Sequence, residues 1–273
     1  MLALKKRLKS ALVSEKLAQS VARIPKPVGS FGYDAWGYSS DTLMISLSLF
    51  SKLYTHYFRT QVSGIEHIPK TGRVLIVANH SGQIPLDGLL IGYAMATSKH
   101  GPRAARAMVE RWIPTVPFLG NLLNELGAVI GDPVNCAKML QQEEAVIVFP
   151  EGVRGSGKIF KDRYQLQPFG TGFMHIAIAN RTPIVPVGVV GCEETLPSLM
   201  NIKTLARALG TPYFPMTLPF PLPAKVRLYF GKPMLFTGDQ LDESSLRTQV
   251  ERVSDCIRDL VEQGLGERGS WFW

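Results

Sequence analysis

His80 and Asp87 are the residues of this chain best suited to moving a proton. A neutral imidazole takes a proton from a hydroxyl near pH 7. A carboxylate on its other ring nitrogen fixes the tautomer and stabilises the imidazolium that forms. Both residues lie in the stretch 74–87, VLIVANHSGQIPLD, in which an apolar run ends in Asn79-His80 and a Gly/Pro-containing turn leads to Asp87. The pattern predicts a buried strand, a loop carrying the histidine, and a helix that Asp87 opens. A lone histidine at a strand end is more often held by backbone alone, and an aspartate there is commonly only a helix cap. Asp87 can cap the helix and face His80 at once.

A second constellation is VIVFPEGVRGSGK at 146–158, a strand running into a glycine-rich loop. Gly152, Gly155 and Gly157 would let backbone N–H groups approach an anion, and Arg154 could grip a phosphate or carboxylate with two hydrogen bonds. The bland alternative is an ordinary surface turn. No Gly-Lys-Ser/Thr follows, which excludes a nucleotide-binding P-loop. No Gly-x-Ser-x-Gly elbow is present either, which counts against a serine hydrolase using the same His–Asp pair.

Together these stretches resemble the glycerolipid and lysophospholipid acyltransferase family, relatives of 1-acylglycerol-3-phosphate acyltransferase. The family's first motif is Asn-His, four residues, then Asp, against Asn79-His80…Asp87 here; its third is Phe-Pro-Glu-Gly-Thr-Arg-Ser, against 149–155, FPEGVRG. An apolar strand with an internal proline, 184–188, matches the fourth motif, and 117–120 leading to 127–130 matches the second weakly. Order and spacing agree over roughly residues 60–235. Two departures stand out. Six residues separate His80 from Asp87, a variation seen in the branch resembling mono- and diacylglycerol acyltransferases. The arginine that usually ends the second motif is replaced by Gly131-Asp132, leaving Arg111 and Lys158 as candidates to supply its charge to an acceptor phosphate.

The resemblance implies an O-acyltransferase moving a fatty acyl group from acyl-CoA or acyl carrier protein to a lysophospholipid hydroxyl, in phospholipid biosynthesis. A neutral acceptor such as diacylglycerol is the alternative; a scaffold with a decayed site is disfavoured by the intact His80, Asp87, Glu151 and Arg154. It makes His80 the base and Asp87 its orienter. Pro150, Glu151, Gly152 and Arg154 become acceptor-binding residues, and backbone N–H groups around Ser81 and Gly82, or those of the glycine-rich third motif, are the candidates to bind the oxyanion. An acyl thioester is already activated, so no metal or cofactor is expected beyond the co-substrate.

These residues need a sheet to hold them. From about residue 60 the chain alternates strand patterns (60–65, 73–79, 104–110, 127–131, 145–149, 184–190, 225–230) with helix patterns (87–98, 117–126, 133–143, 170–181, 201–209, 243–263), the signature of an α/β domain. The expectation is one domain, 59–273, with a mixed, largely parallel sheet flanked by helices, preceded by amphipathic helices within 1–58 that associate with a membrane. Six of the nineteen prolines fall in 191–224, which should wrap over the surface.

The net charge of +8 is concentrated at one end. Residues 1–26 hold seven basic residues against Glu15 alone, so they carry +6 and the rest +2. That argues for a sticky arm and against a nucleic-acid-binding body. A helix over 2–22, with leucines on one side and lysines on the others, suits an anionic membrane surface. A second over 41–58, with Asp41 as its cap, suits either a bilayer or a covering position on the sheet. No apolar run reaches the ~18 residues needed to span a bilayer, and no signal-peptide pattern is present. Three scattered cysteines give neither a metal spacing nor a disulfide framework, which suggests a reducing compartment. The expected location is the cytoplasmic face of a membrane.

Overall fold

The computed structural model describes residues 2–24, 29, 31–80, 85–238 and 242–270. The strands are β1 (Gln61–Ser63), β2 (Val74–Ala78), β3 (Ala105–Val109), β4 (Val129–Ile130), β5 (Ala145–Val148), β6 (Ile184–Val190), β7 (Met200–Asn201), β8 (Pro215–Met216) and β9 (Arg227–Phe230). Seven of them form one sheet in the order β1-β9-β6-β2-β5-β3-β4, and β7 and β8 form a separate ribbon. Every pair in the large sheet is parallel except β6 with β9. The helices are α1 (Leu2–Leu12), α2 (Glu15–Ala22), α3 (Ser40–Lys52), α4 (Leu86–Thr97), α5 (Leu119–Glu125), α6 (Pro133–Gln141), α7 (Val153–Ser156), α8 (Gly172–Ala179), α9 (Cys192–Thr195), α10 (Lys203–Leu209) and α11 (Glu243–Gly266).

Strand β2 lies at the centre, and all five of its aliphatic side chains are buried, as a strand covered on both faces requires. Val74, Ile76 and Ala78 point to one face with Leu90, Ile91 and Met95 of α4. Leu75 and Val77 point to the other, among α6, α8 and the Leu246/Val250/Val253/Ile257/Val261 stripe of α11. The chain leaves β2 through α4 toward β3 and leaves β5 through α8 toward β6, in opposite directions across the sheet. A crevice at the carboxyl ends of β2 and β5 follows from that reversal.

The N-terminal segment differs from the single helix expected over 2–22. Ser14 accepts a hydrogen bond from Leu17 N–H and starts a second helix, so α1 and α2 are separate. Val21, Ile24, Leu43 and Leu47 pack against Ala96 and Ala104 of the body. Lys5 reaches Glu125 and Lys9 reaches Asp41, each at 2.6 Å. Asp41 is therefore an ion-pair partner, while Ser39 caps α3. Helix α3 covers the body with one side and leaves Leu49 exposed on the other, and it ends in a wider π turn over Leu53–Tyr57. No helix among the described residues is long and apolar enough to cross a membrane.

Candidate active site

Strand β2 delivers its last residues to the crevice in a fixed orientation. Asn79, fully buried, donates its side-chain N–H to the Val189 carbonyl at 3.0 Å and accepts the Val189 N–H at 2.7 Å. The amide thus extends the β2–β6 pairing by one step and pins the backbone just before His80. Next, the His80 N–H donates to Glu151 Oε1 at 2.7 Å, which ties the loop after β2 to the loop after β5. The imidazole stacks on Phe149, with ring centroids 4.4 Å apart and 23° between planes.

Asp87 completes the pair. Its Oδ2 lies 2.7 Å from His80 Nδ1, and its Oδ1 accepts the Gly88 N–H at 2.7 Å. The helix begins at Leu86 with Pro85 in the cap position, so Asp87 sits inside the first turn instead of capping it. A wholly buried carboxylate is tolerable there because hydrogen bonds satisfy it and the helix N-terminus favours negative charge. The intervening residues 81–84, including the expected Ser81 and Gly82, lie outside the described residues.

Electrostatics follow from this geometry. Burial alone would pull the pKa of His80 down, but the charge and hydrogen bond of Asp87, with help from Glu151, outweigh burial and hold it above the ordinary value. A carboxylate on Nδ1 selects the tautomer that leaves the Nε2 lone pair free to accept a proton. The His80 side chain is 16% exposed and lines the large cavity described next.

That cavity has a volume of about 350 Å³ and runs between α3, α4, β3 and α5. Gly88, Gly92 and Ala96, one turn apart on α4, form part of its wall, and an added Cβ at Gly92 would meet only open space. Leu47, Phe50 and Tyr93 contribute apolar surface, while Glu110, Ser156 and Tyr213 are among its polar side chains. None of the described lining residues is lysine or arginine.

The third-motif loop is used differently from the sequence expectation. Glu151 was expected to bind the acceptor, but it is buried with its second oxygen accepting the Gln167 N–H at 2.7 Å. Lys158, expected to offer a charge to a phosphate, is 5% exposed and committed inward, 2.8 Å from Glu193 and 3.5 Å from Glu151. Burial raises the Glu193 carboxyl, with Lys158 pulling the other way. Arg111 points to solvent, 3.5 Å from Asp132, and Asp132 caps α6 through Val134 N–H, which accounts for an aspartate where the family carries arginine. The Pro150 carbonyl accepts the Gly170 N–H, and the residue is not part of the cavity wall. Gly152 does line the cavity, at φ 56 and ψ −145, a conformation open essentially to glycine. Arg154 is exposed, with a single long bond to the Pro168 carbonyl at 3.4 Å.

Several site residues escaped sequence reasoning. Gly155, read as an anion-binding position, instead makes room: an added Cβ would stand 2.6 Å from Glu151 Cβ and 2.8 Å from His80 Cβ. Phe149 was quoted in a motif but not as the ring beneath the histidine. Tyr213 comes from a distant segment with no motif. The Gly88/Gly92/Ala96 stripe was visible as small residues at helical spacing, although such a stripe alone does not say that it borders a void.

The structure thus combines an α/β sheet with a His–Asp pair held in fixed orientation beside an apolar cavity. Comparisons place that combination among known proteins. A family model described as acyltransferase matches residues 59–190. An uncharacterized protein of Mycobacterium leprae is 34% identical over 266 residues, spanning 92% of this chain and 72% of its own length. A Bos taurus protein named DGAT1/2-independent enzyme synthesizing storage lipids is 28% identical over 213 residues, covering 74% of this chain and 59% of its own. The crystal structure of the 1-acyl-sn-glycerophosphate (LPA) acyltransferase PlsC from Thermotoga maritima shares the fold, with a TM-score of 0.56, 21% identity, and 83% and 82% of the two chains covered. The chain belongs to the acyltransferase family, and it is an O-acyltransferase.

Proposed function

We propose that the enzyme transfers a fatty acyl group from an acyl thioester, acyl-CoA or acyl carrier protein, to a hydroxyl of a glycerolipid. The observation that carries this reading is the His80 ring, tied through Nδ1 to Asp87 at 2.7 Å, at an apolar cavity of about 350 Å³. His80 Nε2 takes the hydroxyl proton as the acceptor oxygen attacks the thioester carbonyl. The tetrahedral intermediate then collapses, the new ester forms, and the imidazolium returns its proton to the departing thiolate. Asp87 stabilises the imidazolium during that interval. Glu151, which touches His80 only through its backbone N–H, is a positioning residue in this scheme. Ser81 and Gly82 are proposed as backbone donors to the oxyanion.

For the acceptor, the cavity wall favours a neutral lipid such as diacylglycerol, because its described lining offers a phosphate no lysine or arginine. The likeness to an enzyme named for storage-lipid synthesis supports the same choice. The lysophospholipid reading, with 1-acylglycerol-3-phosphate as its example, is favoured by one observation: Arg154 stands exposed two residues beyond the cavity-lining Gly152. The reading includes a peripheral position at the cytoplasmic face of a membrane, which the exposed Lys6, Arg7, Lys16 and Arg23 support. Purified protein given acyl-CoA with diacylglycerol, monoacylglycerol or lysophosphatidate should acylate a neutral acceptor faster. Preference for lysophosphatidate reverses the acceptor assignment, and thioester consumption with no glycerolipid acceptor overturns the function.

A further inference from the structure

Residues 199–220 form an excursion (β7, α10, β8 and the segment after it) that leaves the sheet after β6 and returns before β9. Seven large apolar side chains in it are exposed, among them Leu199, Met200, Met216, Leu218 and Phe220, the last at 77%. Single exposed apolar residues are ordinary, but a cluster of this density is not. Several share one side. Met200 stands opposite Met216 in the β7–β8 pair, and Leu218 follows two residues on. The inner side is fixed elsewhere: Asn201 donates to the Gly157 carbonyl at 2.7 Å, and Tyr213 packs beside Gly157 and lines the cavity. The excursion therefore clamps onto the third-motif loop with one face and turns greasy side chains outward with the other.

Charge identifies the occupant of the outward face. From Thr195 to Gly238 the chain has no aspartate or glutamate, while it has Lys203, Arg207, Lys225, Arg227 and Lys232. Lys203 and Arg207 are exposed on α10, beside the exposed Leu209. Flexible Met and Leu chains, an aromatic ring and the two exposed basic groups of α10 suit an interface with anionic headgroups above acyl chains. Across the same cavity, Phe118 is 91% exposed at φ 64, next to the cavity-lining Leu119, so an apolar projection borders the cavity from α5 as well.

We propose that the 199–220 excursion docks the protein on an anionic lipid bilayer and sets the cavity mouth at the lipid surface. The inference rests on the reading of the cavity as a lipid site, and it goes beyond the N-terminal arm as the only membrane contact. The test uses the full chain and vesicles of phosphatidylcholine mixed with phosphatidylglycerol, against phosphatidylcholine alone. Met200→Ser, Met216→Ser, Leu218→Ser and Phe220→Ser combined should weaken sedimentation with the mixed vesicles by about tenfold or more. The melting temperature and acyl transfer in detergent micelles should stay unchanged. A second variant, Lys203→Glu with Arg207→Glu, leaves the apolar face intact and should weaken binding to mixed vesicles, with no effect on phosphatidylcholine alone. Unchanged vesicle binding in both variants overturns the proposal. So does loss of acyl carrier protein binding with vesicle binding kept, or a change of oligomeric state on serine substitution, since each assigns the face to a protein. Vesicle binding is read without turnover, so a failure of the catalytic reading stays separate from a failure of this one.

Discussion

Two loops leave the carboxyl edge of the sheet side by side, and they spend their polar residues in opposite ways. The loop after β2 carries His80, one nitrogen of which is fixed by Asp87 while the ring faces the cavity. The loop after β5 is richer in charge, yet Glu151 and Lys158 are turned inward, onto His80 and Gln167 N–H groups and onto Glu193. One loop presents an imidazole to the cavity and the other holds it in place. The lesson concerns motifs in general: charged residues in a signature serve the reaction whether they touch substrate or hold the residue that does. Buried charge that is fully hydrogen-bonded gives geometry, and a partly exposed imidazole gives chemistry.

The sharpest way to break this contrast is to remove each loop's central side chain. His80→Ala should lower acyl transfer by roughly 10²- to 10⁴-fold, the range for loss of a general base, in a variant that still folds. Full activity in that variant would end the proton-transfer role. Asp87→Asn should reduce the maximal rate less and should also move the pH profile. The carboxylate holds the His80 pKa above its ordinary value of about 6.5, so the wild-type acid limb lies above that pH, with activity rising as His80 loses its proton. With a neutral amide, burial lowers the pKa instead, and the limb should shift to lower pH. A limb that stays in place would show that another group controls it.

Glu151→Ala tests the holding loop. It leaves two backbone N–H groups, those of His80 and Gln167, without their acceptor in a buried site. At roughly 1–3 kcal/mol for each unsatisfied donor, the loss of about 2–6 kcal/mol should appear in chemical denaturation. The acid limb of residual activity should move to lower pH by less than in Asp87→Asn, because Asp87 still faces His80 and only the smaller contribution of Glu151 is lost. An unchanged stability would mean that the two loops are not coupled through this carboxylate.

How much of this was readable beforehand depends on whether the cause was local. The β2 strand, the start of α4 and the order of motifs follow from apolar runs and turn residues in short windows, and the sheet assembled as those patterns require. The break between α1 and α2 rests on one serine cap in a continuous leucine–lysine pattern, so periodicity alone ran through it. The inward turn of Glu151 and Lys158 was hidden because their partners, Gln167 and Glu193, are 16 and 35 residues away. Gly155 shows the same limit: its lack of a side chain matters only because His80 crosses it from another strand. Tyr213 reaches the cavity from a proline-rich excursion whose sequence carries no period at all.

The smallest predicted effect separates the chemical end of α4 from its spatial end. The helix contributes Asp87 in its first turn and Gly92 a turn and a half later, where an added side chain projects into open cavity. Gly92→Leu should leave the His80–Asp87 contact and the pH profile intact, and it should improve helix propensity by up to about 1 kcal/mol. The leucine should instead occupy room that the acyl chain would fill. Each methylene denied burial forfeits about 0.8 kcal/mol, or roughly a factor of four in kcat/KM. Longer acyl-CoA donors should therefore lose ground to shorter ones in steps of that size, measured by competition between donors of different length. A uniform fall for all lengths would place the leucine in the path of the reaction, and no change at all would remove the cavity from acyl-chain binding.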